Sequence, residues 1–142
     1  MNKIAMAAAL VFSACARSSD GLPEIHYGRD VCARCGMIVS EERFASGYVG
    51  SGGETVAFDD LGEFLAIVSL NPALAAKSYV HDAQDGRWLR ASQAIFVKLP
   101  GLATPMGSGY AAFSSEAGAR DFARRQGTQF EGAVETLASR MK

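Results

Sequence analysis

The 142-residue sequence has little charge of one sign to spare and no long apolar run. Lys and Arg together number 14 against 15 Asp and Glu, a formal net charge of −1, and the basic residues are scattered. A nucleic-acid surface needs a basic patch or stripe, so nucleic acid is set aside as a partner. No stretch reaches the roughly 20 apolar residues that a membrane-spanning helix requires. Cysteine is scarce, three in all with none after Cys35. That excludes a zinc ribbon, which needs a second Cys-x-x-Cys to close its tetrahedron. Histidine occurs only as His26 and His81. There is also no Ser-His-Asp set, no phosphate-cradling glycine loop and no metalloprotease helix.

What is present is the composition of an ordinary globular protein, 49% hydrophobic and 20% charged. Its size fits one compact unit, or two very small modules sharing a core. The first residues have export-signal anatomy: a positive start at Met1-Asn2-Lys3, an apolar run from Ile4 to Phe12, then Ser13-Ala14-Cys15. Phe12-Ser13-Ala14-Cys15 resembles a bacterial lipobox, with Phe12 where leucine is usual. Residues 1–14 are therefore expected to be a signal peptide and Cys15 to be lipidated as the new N-terminus. Ala16 offers no acidic inner-membrane retention signal, so the expected location is the periplasmic face of the outer membrane, held by the lipid anchor. A cysteine whose sulfur is a thioether to lipid cannot ligate as a thiolate, which leaves Cys32 and Cys35.

Residues 15–30 are mostly small, polar or turn-forming and read as a lipidated tether, with folding expected from about Val31. Phe44 to Gly50 and Glu54 to Phe58 read as a hairpin turning at Gly50-Ser51-Gly52-Gly53. Asp59 or Asp60 then caps a helix carrying Leu61, Phe64, Leu65 and Val68 at helical spacing, stopped by Asn71-Pro72. Strands are expected at Lys77–His81, Ala94–Leu99 and Tyr110–Phe113. A helix follows from Ser114-Ser115-Glu116 to about Gln126, closed by Gly127, and then a short terminal helix or frayed tail over Glu131–Met141. Val56-Ala57-Phe58-Asp59-Asp60 and Ala111-Ala112-Phe113-Ser114-Ser115, each entering a helix, share one plan. The fold expected is α+β: two small similar modules, each a β-hairpin or short sheet with one packed helix, ββαβ-like, over about 31–83 and 93–142.

The segment richest in chemistry is Cys32-Ala33-Arg34-Cys35-Gly36-Met37, three sulfur side chains within six residues, with Gly36 free to turn the backbone tightly. Thiolate and thioether are soft donors that select cuprous copper, whereas zinc favours a closed set of four and would have to recruit His26 and His81. Met106, between Pro105 and Gly107, is a large apolar side chain placed in a turn. A loop folded over the cysteines would let it supply a thioether; its bland use is filling a gap in the core. The cysteine pair also admits a redox centre or a plain structural disulfide. Against a redox centre, Ile38-Val39 and a β-like stretch follow the pair in place of the helix whose N-terminus lowers a reactive thiol's pKa. His81, before Asp82 at a strand end, is a weaker metal candidate than a surface residue, and His26 lies in the tether. Asp59-Asp60 is explained by helix capping.

Asp30-x-Cys32-x-x-Cys35-Gly36-Met37-Ile38, Phe58-Asp59-Asp60, Tyr79-Val80-x-Asp82, Trp88 with Ala91, and Thr104-Pro105-Met106-Gly107 with Ala112-Phe113 together resemble the NosL family of nitrous oxide reductase accessory proteins. The resemblance spans most of the chain beyond the leader. It implies a non-enzymatic periplasmic chaperone carrying Cu(I) for the copper clusters of nitrous oxide reductase, alongside a membrane transporter and its periplasmic maturation partner. It also implies two small strand-and-helix modules and sulfur ligands at Cys32 or Cys35, Met37 and Met106. His81 falls inside a family block without being a required ligand. Delivery to another cuproenzyme, a thiol-disulfide oxidoreductase and a disulfide-stapled adaptor are the alternatives.

Overall fold

A computed structural model describes residues 21–130 and 134–137. The expected signal peptide and Cys15 lie outside the described residues.

Two strand-and-helix modules follow one another. In the first, β1 (Ser46–Val49) and β2 (Thr55–Phe58) form the expected hairpin, with Ser46 opposite Phe58 and Val49 opposite Thr55. The chain then enters α1 (Leu61–Leu70) and, after a single helical turn α2 (Leu74–Lys77), returns as β3 (Tyr79–His81) antiparallel to β1. An added strand, β4 (Trp88–Arg90), pairs with β3. In the second module, β5 (Ile95–Lys98) and β6 (Tyr110–Phe113) form a hairpin, α3 (Glu116–Gln126) follows, and β7 (Val134–Thr136) pairs antiparallel with β5. Sheet orders are β2-β1-β3-β4 and β6-β5-β7, so each module is ββαβ with its last strand beside its first. The α+β class and the paired plan are as the sequence implied.

The repeat reaches into the caps. Asp60 and Ser115, both extended, cap α1 and α3, accepting from the N–H of Gly62 and Gly118 respectively. Gly127 closes α3 in the left-handed conformation, φ 66°.

The expected terminal helix does not form over Val134–Thr136, which is strand β7. The β5–β6 hairpin alone would be a marginal two-stranded sheet, and a third strand along β5 overrides a weak helical spacing. The latter part of the expected tether also lies on the fold. Pro23 is buried against Gly47 of β1, Ile25 and Tyr27 pack on the main core, and Gly28 donates to the Val39 carbonyl at 2.8 Å.

Neither module closes its own core. Phe64 on α1 lies between Phe58 of the first module and Phe96 of the second, with ring centroids 5.9 and 6.4 Å away. The main core runs from Leu61, Leu65 and Val68 to Ala112 and Leu137. A second cluster packs Phe113, Phe122 and Ala123 against Phe44 and Ala83 from the first module's side. Two sheets of three and four strands are too small to bury a core singly, so the modules share one.

Candidate metal centre

The cysteine segment is a tight hairpin. Val31 bridges Ile38, Cys32 N–H donates to the Met37 carbonyl at 2.7 Å, and Gly36 N–H donates back to the Cys32 carbonyl at 3.0 Å. Gly36 holds φ 76°, a left-handed conformation that residues with a Cβ adopt only under strain. The hairpin is fastened to the first module twice: Ala33 N–H donates to the Ala57 carbonyl at 2.8 Å, and Arg34 pairs with Glu63 of α1 at 3.1 Å. Ala57 lies two residues before Asp59, so the turn sits over the end of β2.

That placement builds the centre. One sulfur from each of Cys32 and Cys35 and a carboxylate oxygen of Asp59 all lie within 4.8 Å of one another. Cys32 and Asp59 are buried, Cys35 is half-buried, and neither cysteine is in a disulfide. Cys35 donates its thiol proton to Asp59 Oδ1 at 3.4 Å. Burial pushes the Cys35 thiol up to about 11, the neighbouring Cys32 and Asp59 raise it too, and a bond from the Met37 backbone works the other way.

Asp59 went unrecognised in the sequence because Asp59-Asp60 is also what a helix start looks like. Only Asp60 is the cap. In an extended chain successive side chains point to opposite faces, so Asp60 looks away from its neighbour. The signal available was the doubling itself, since one carboxylate is enough for a cap.

Asp60 faces the loop that carries the second methionine. Its Oδ1 accepts from Gly62 N–H at 2.7 Å, while its Oδ2 accepts from the Thr104 hydroxyl at 2.7 Å and Met106 N–H at 2.9 Å. Burial alone would raise this carboxyl; the donors from Ser108, Thr104, Met106 and Gly62 hold it below its ordinary value. The Met106 loop is thereby anchored on the residue next to Asp59. Both methionine side chains reach solvent, Met37 at 57% and Met106 at 44% exposed.

His81 lies elsewhere in role. It is buried, with Nδ1 2.8 Å from the Gly86 carbonyl and Nε2 2.9 Å from the Tyr27 hydroxyl, and it stacks on Trp88 at 3.7 Å between ring centroids. A carbonyl only accepts, so Nδ1 carries the proton and the Nε2 lone pair takes the Tyr27 hydroxyl. The one lone pair a metal would use is thus engaged, and the described residues do not bring His81 into the cysteine group. His26 is exposed and sits against Asp30 at 3.3 Å.

The hairpin over β2 has a twin over β6. Asp82 N–H donates to the Arg87 carbonyl at 2.8 Å, Gly86 N–H to the Asp82 carbonyl at 2.8 Å, and Ala83 N–H to the Ala112 carbonyl at 2.8 Å. His81 pairs with Trp88, and Gly86 holds φ 79°. Cys32-Ala33-Arg34-Cys35-Gly36-Met37 and Asp82-Ala83-Gln84-Asp85-Gly86-Arg87 are thus one backbone loop used twice. Asp82 accepts from Gln84 and Ser114 N–H, and Asp85 is paired with Arg87 at 2.7 Å. The second loop spends its carboxylates on its own backbone and arginine and on the Ser114 N–H that follows β6.

The NosL family profile matches residues 25–136, which includes both loops, both caps and Met106. The chain belongs to the NosL family. Among solved structures, the copper chaperone NosL from Shewanella denitrificans is similar at a TM-score of 0.62 and 19% identity, over 84% of this chain and 94% of that one. At that identity the likeness speaks for the fold, and the α+β arrangement is that of NosL. No curated protein matches the sequence.

Proposed function

We propose that this NosL-family protein is a cuprous-copper chaperone, with copper as its cargo and Cys32, Cys35 and Met106 as principal ligands. The observation that carries the reading is the convergence of the Cys32 and Cys35 sulfurs beside Asp59. Paired thiolates with thioethers nearby are a soft donor set suited to Cu(I). Exposed Met37 and Met106 suit an ion that must leave, because an acceptor's sulfur can enter while the protein's own thioethers depart. The similar Shewanella denitrificans protein is itself named a copper chaperone.

Delivery, in this proposal, is from the periplasmic face of the outer membrane, where lipidated Cys15 anchors the chain. The recipient is nitrous oxide reductase, served together with a membrane transporter and its periplasmic partner. Among the described residues no helix is long and apolar enough to cross a membrane. Thiol-disulfide catalysis is disfavoured by placement, because the pair lies in a tight hairpin fastened over β2 and not at the start of a helix whose dipole would lower an attacking thiol's pKa.

The test is an anaerobic titration of the reduced protein with Cu(I) against a competing chelator. One tightly bound equivalent is expected, abolished by Cys32→Ser with Cys35→Ser and weakened by Met106→Leu. Absence of binding would overturn the reading. Recipient identity is tested in cells lacking this gene: copper-depleted nitrous oxide reductase supports the proposal, and a fully loaded enzyme removes that partner.

A further inference from the structure

Asp60 joins the two modules at the edge of the sulfur site. Its carboxylate is fully buried, and its two oxygens divide their partners. Oδ1 holds the first turn of α1 through Gly62 N–H, and Oδ2 holds the Thr104 hydroxyl and the Met106 backbone, both from the loop between β5 and β6. A cap needs only the first of these bonds. The others reach 44 and 46 residues along the chain to the segment that carries the exposed thioether.

The loop also packs directly on the helix start. A Cβ placed on Gly62 would lie 2.5 Å from the Ser108 Cβ, so the glycine is what allows the loop to approach this closely. Thr104 Oγ1 in turn accepts from Gly109 N–H at 3.2 Å, and Gly107 and Gly109 hold positive φ on either side of Ser108. The loop is closed on itself and moored at one carboxylate. Asp59, one residue before that mooring, is in the cysteine cluster.

We infer that Asp60 is the positioning residue of the site: it touches no metal, and its carboxylate sets the Met106 thioether in register with the Cys32–Cys35 pair. This rests on the copper reading above. Without the mooring, Met106 still exists but its sulfur is no longer held where a shared ion needs it. Residues that orient ligands in this way typically alter metal affinity by about 10- to 100-fold.

The experiment is a double-mutant cycle on Cu(I) affinity, measured anaerobically against a chelator with the full chain. Asp60→Asn alone is expected to weaken binding about tenfold. In a Met106→Leu background the same substitution is expected to change affinity less than about twofold, because the ligand it positions has gone. X-ray absorption on the copper-loaded Asp60→Asn protein is expected to keep the thiolate scatterers and lose the thioether, as Met106→Leu does. Thr104→Val and Gly62→Ala disturb the mooring while leaving the Asp60 carboxylate in place, and they serve if Asp60→Asn does not fold. An equal loss in both backgrounds, or a retained thioether, would overturn the inference and leave the copper reading standing. Failure of the unsubstituted protein to bind Cu(I) would overturn both.

Discussion

Acid should loosen copper from this protein in a way the geometry of Cys35 dictates. Burial beside Asp59 and Cys32 raises the Cys35 thiol to about 11. At pH 7 only about one such thiol in 10⁴ is ionised, so the free protein carries the proton almost always. Cuprous ion binds the thiolate, and each ion taken up must therefore expel at least that proton. The sign follows: apparent affinity rises with pH, by about tenfold per unit for one proton displaced, and levels off only near the thiol's own pKa. Between pH 6 and pH 8 the Cys35 proton alone should lower the dissociation constant about 100-fold. The assay is anaerobic competition against a chelator at pH 6, 7 and 8, corrected for the chelator's own protonation, with released protons counted in weakly buffered solution. Cys35→Ser should flatten the profile by one proton per ion. A pH-independent affinity in the unsubstituted protein, or an identical slope in Cys35→Ser, would refute the argument.

Phe64→Ala should cost about 3–5 kcal/mol in urea unfolding, because the ring bridges Phe58 and Phe96 and its loss leaves a cavity shared by both modules; a loss under about 1 kcal/mol would show that the modules do not share this core. His81 is held neutral, its pKa depressed by burial, so its contribution to stability is full above the unfolded value of about 6.5 and is lost as pH falls toward the folded value. Unfolding midpoints followed by Trp88 fluorescence should drop between pH 7.5 and 5.5, roughly the window in which an unfolded histidine takes up its proton, and a flat profile would contradict this. Asp82→Ala strips acceptors from the N–H groups of Gln84 and Ser114, at a cost of about 1–3 kcal/mol, with Cu(I) affinity unchanged. A shift in affinity would mean that the two loops communicate.

Periodicity made α1 and α3 legible, since Leu61, Phe64, Leu65 and Val68 fall on one buried stripe and both caps are polar residues at strand ends. Strand β4 escaped because Trp88-Leu89-Arg90 is short and half-buried, without alternation, and exists only as the return arm of a turn. Strand β7 escaped for a different reason: Val134 and Leu137 satisfy a helical spacing locally, and only the open side of β5 decides otherwise. At the site, the sulfur residues announce themselves by type. Asp59 does not, because a carboxylate at a helix start has a bland explanation and its partner lies 24 residues away. His81 was expected at the surface, yet it is buried between Tyr27 and the Gly86 carbonyl, partners too distant in sequence or too ordinary to be read as such.

The twin loops bear on how such a protein can change over generations. Because the same backbone turn stands over β2 and over β6, each with its glycine at positive φ and its alanine N–H on a strand carbonyl, the scaffold does not dictate which element it serves. Among the described residues, the cysteine copy gathers potential metal-ligating side chains into a cluster with Asp59, and the aspartate copy does not. One turn thus carries two different sets of side chains, so the loop's shape is separable from its chemistry: residues can be exchanged in either copy while the backbone bonds that hold the turn remain.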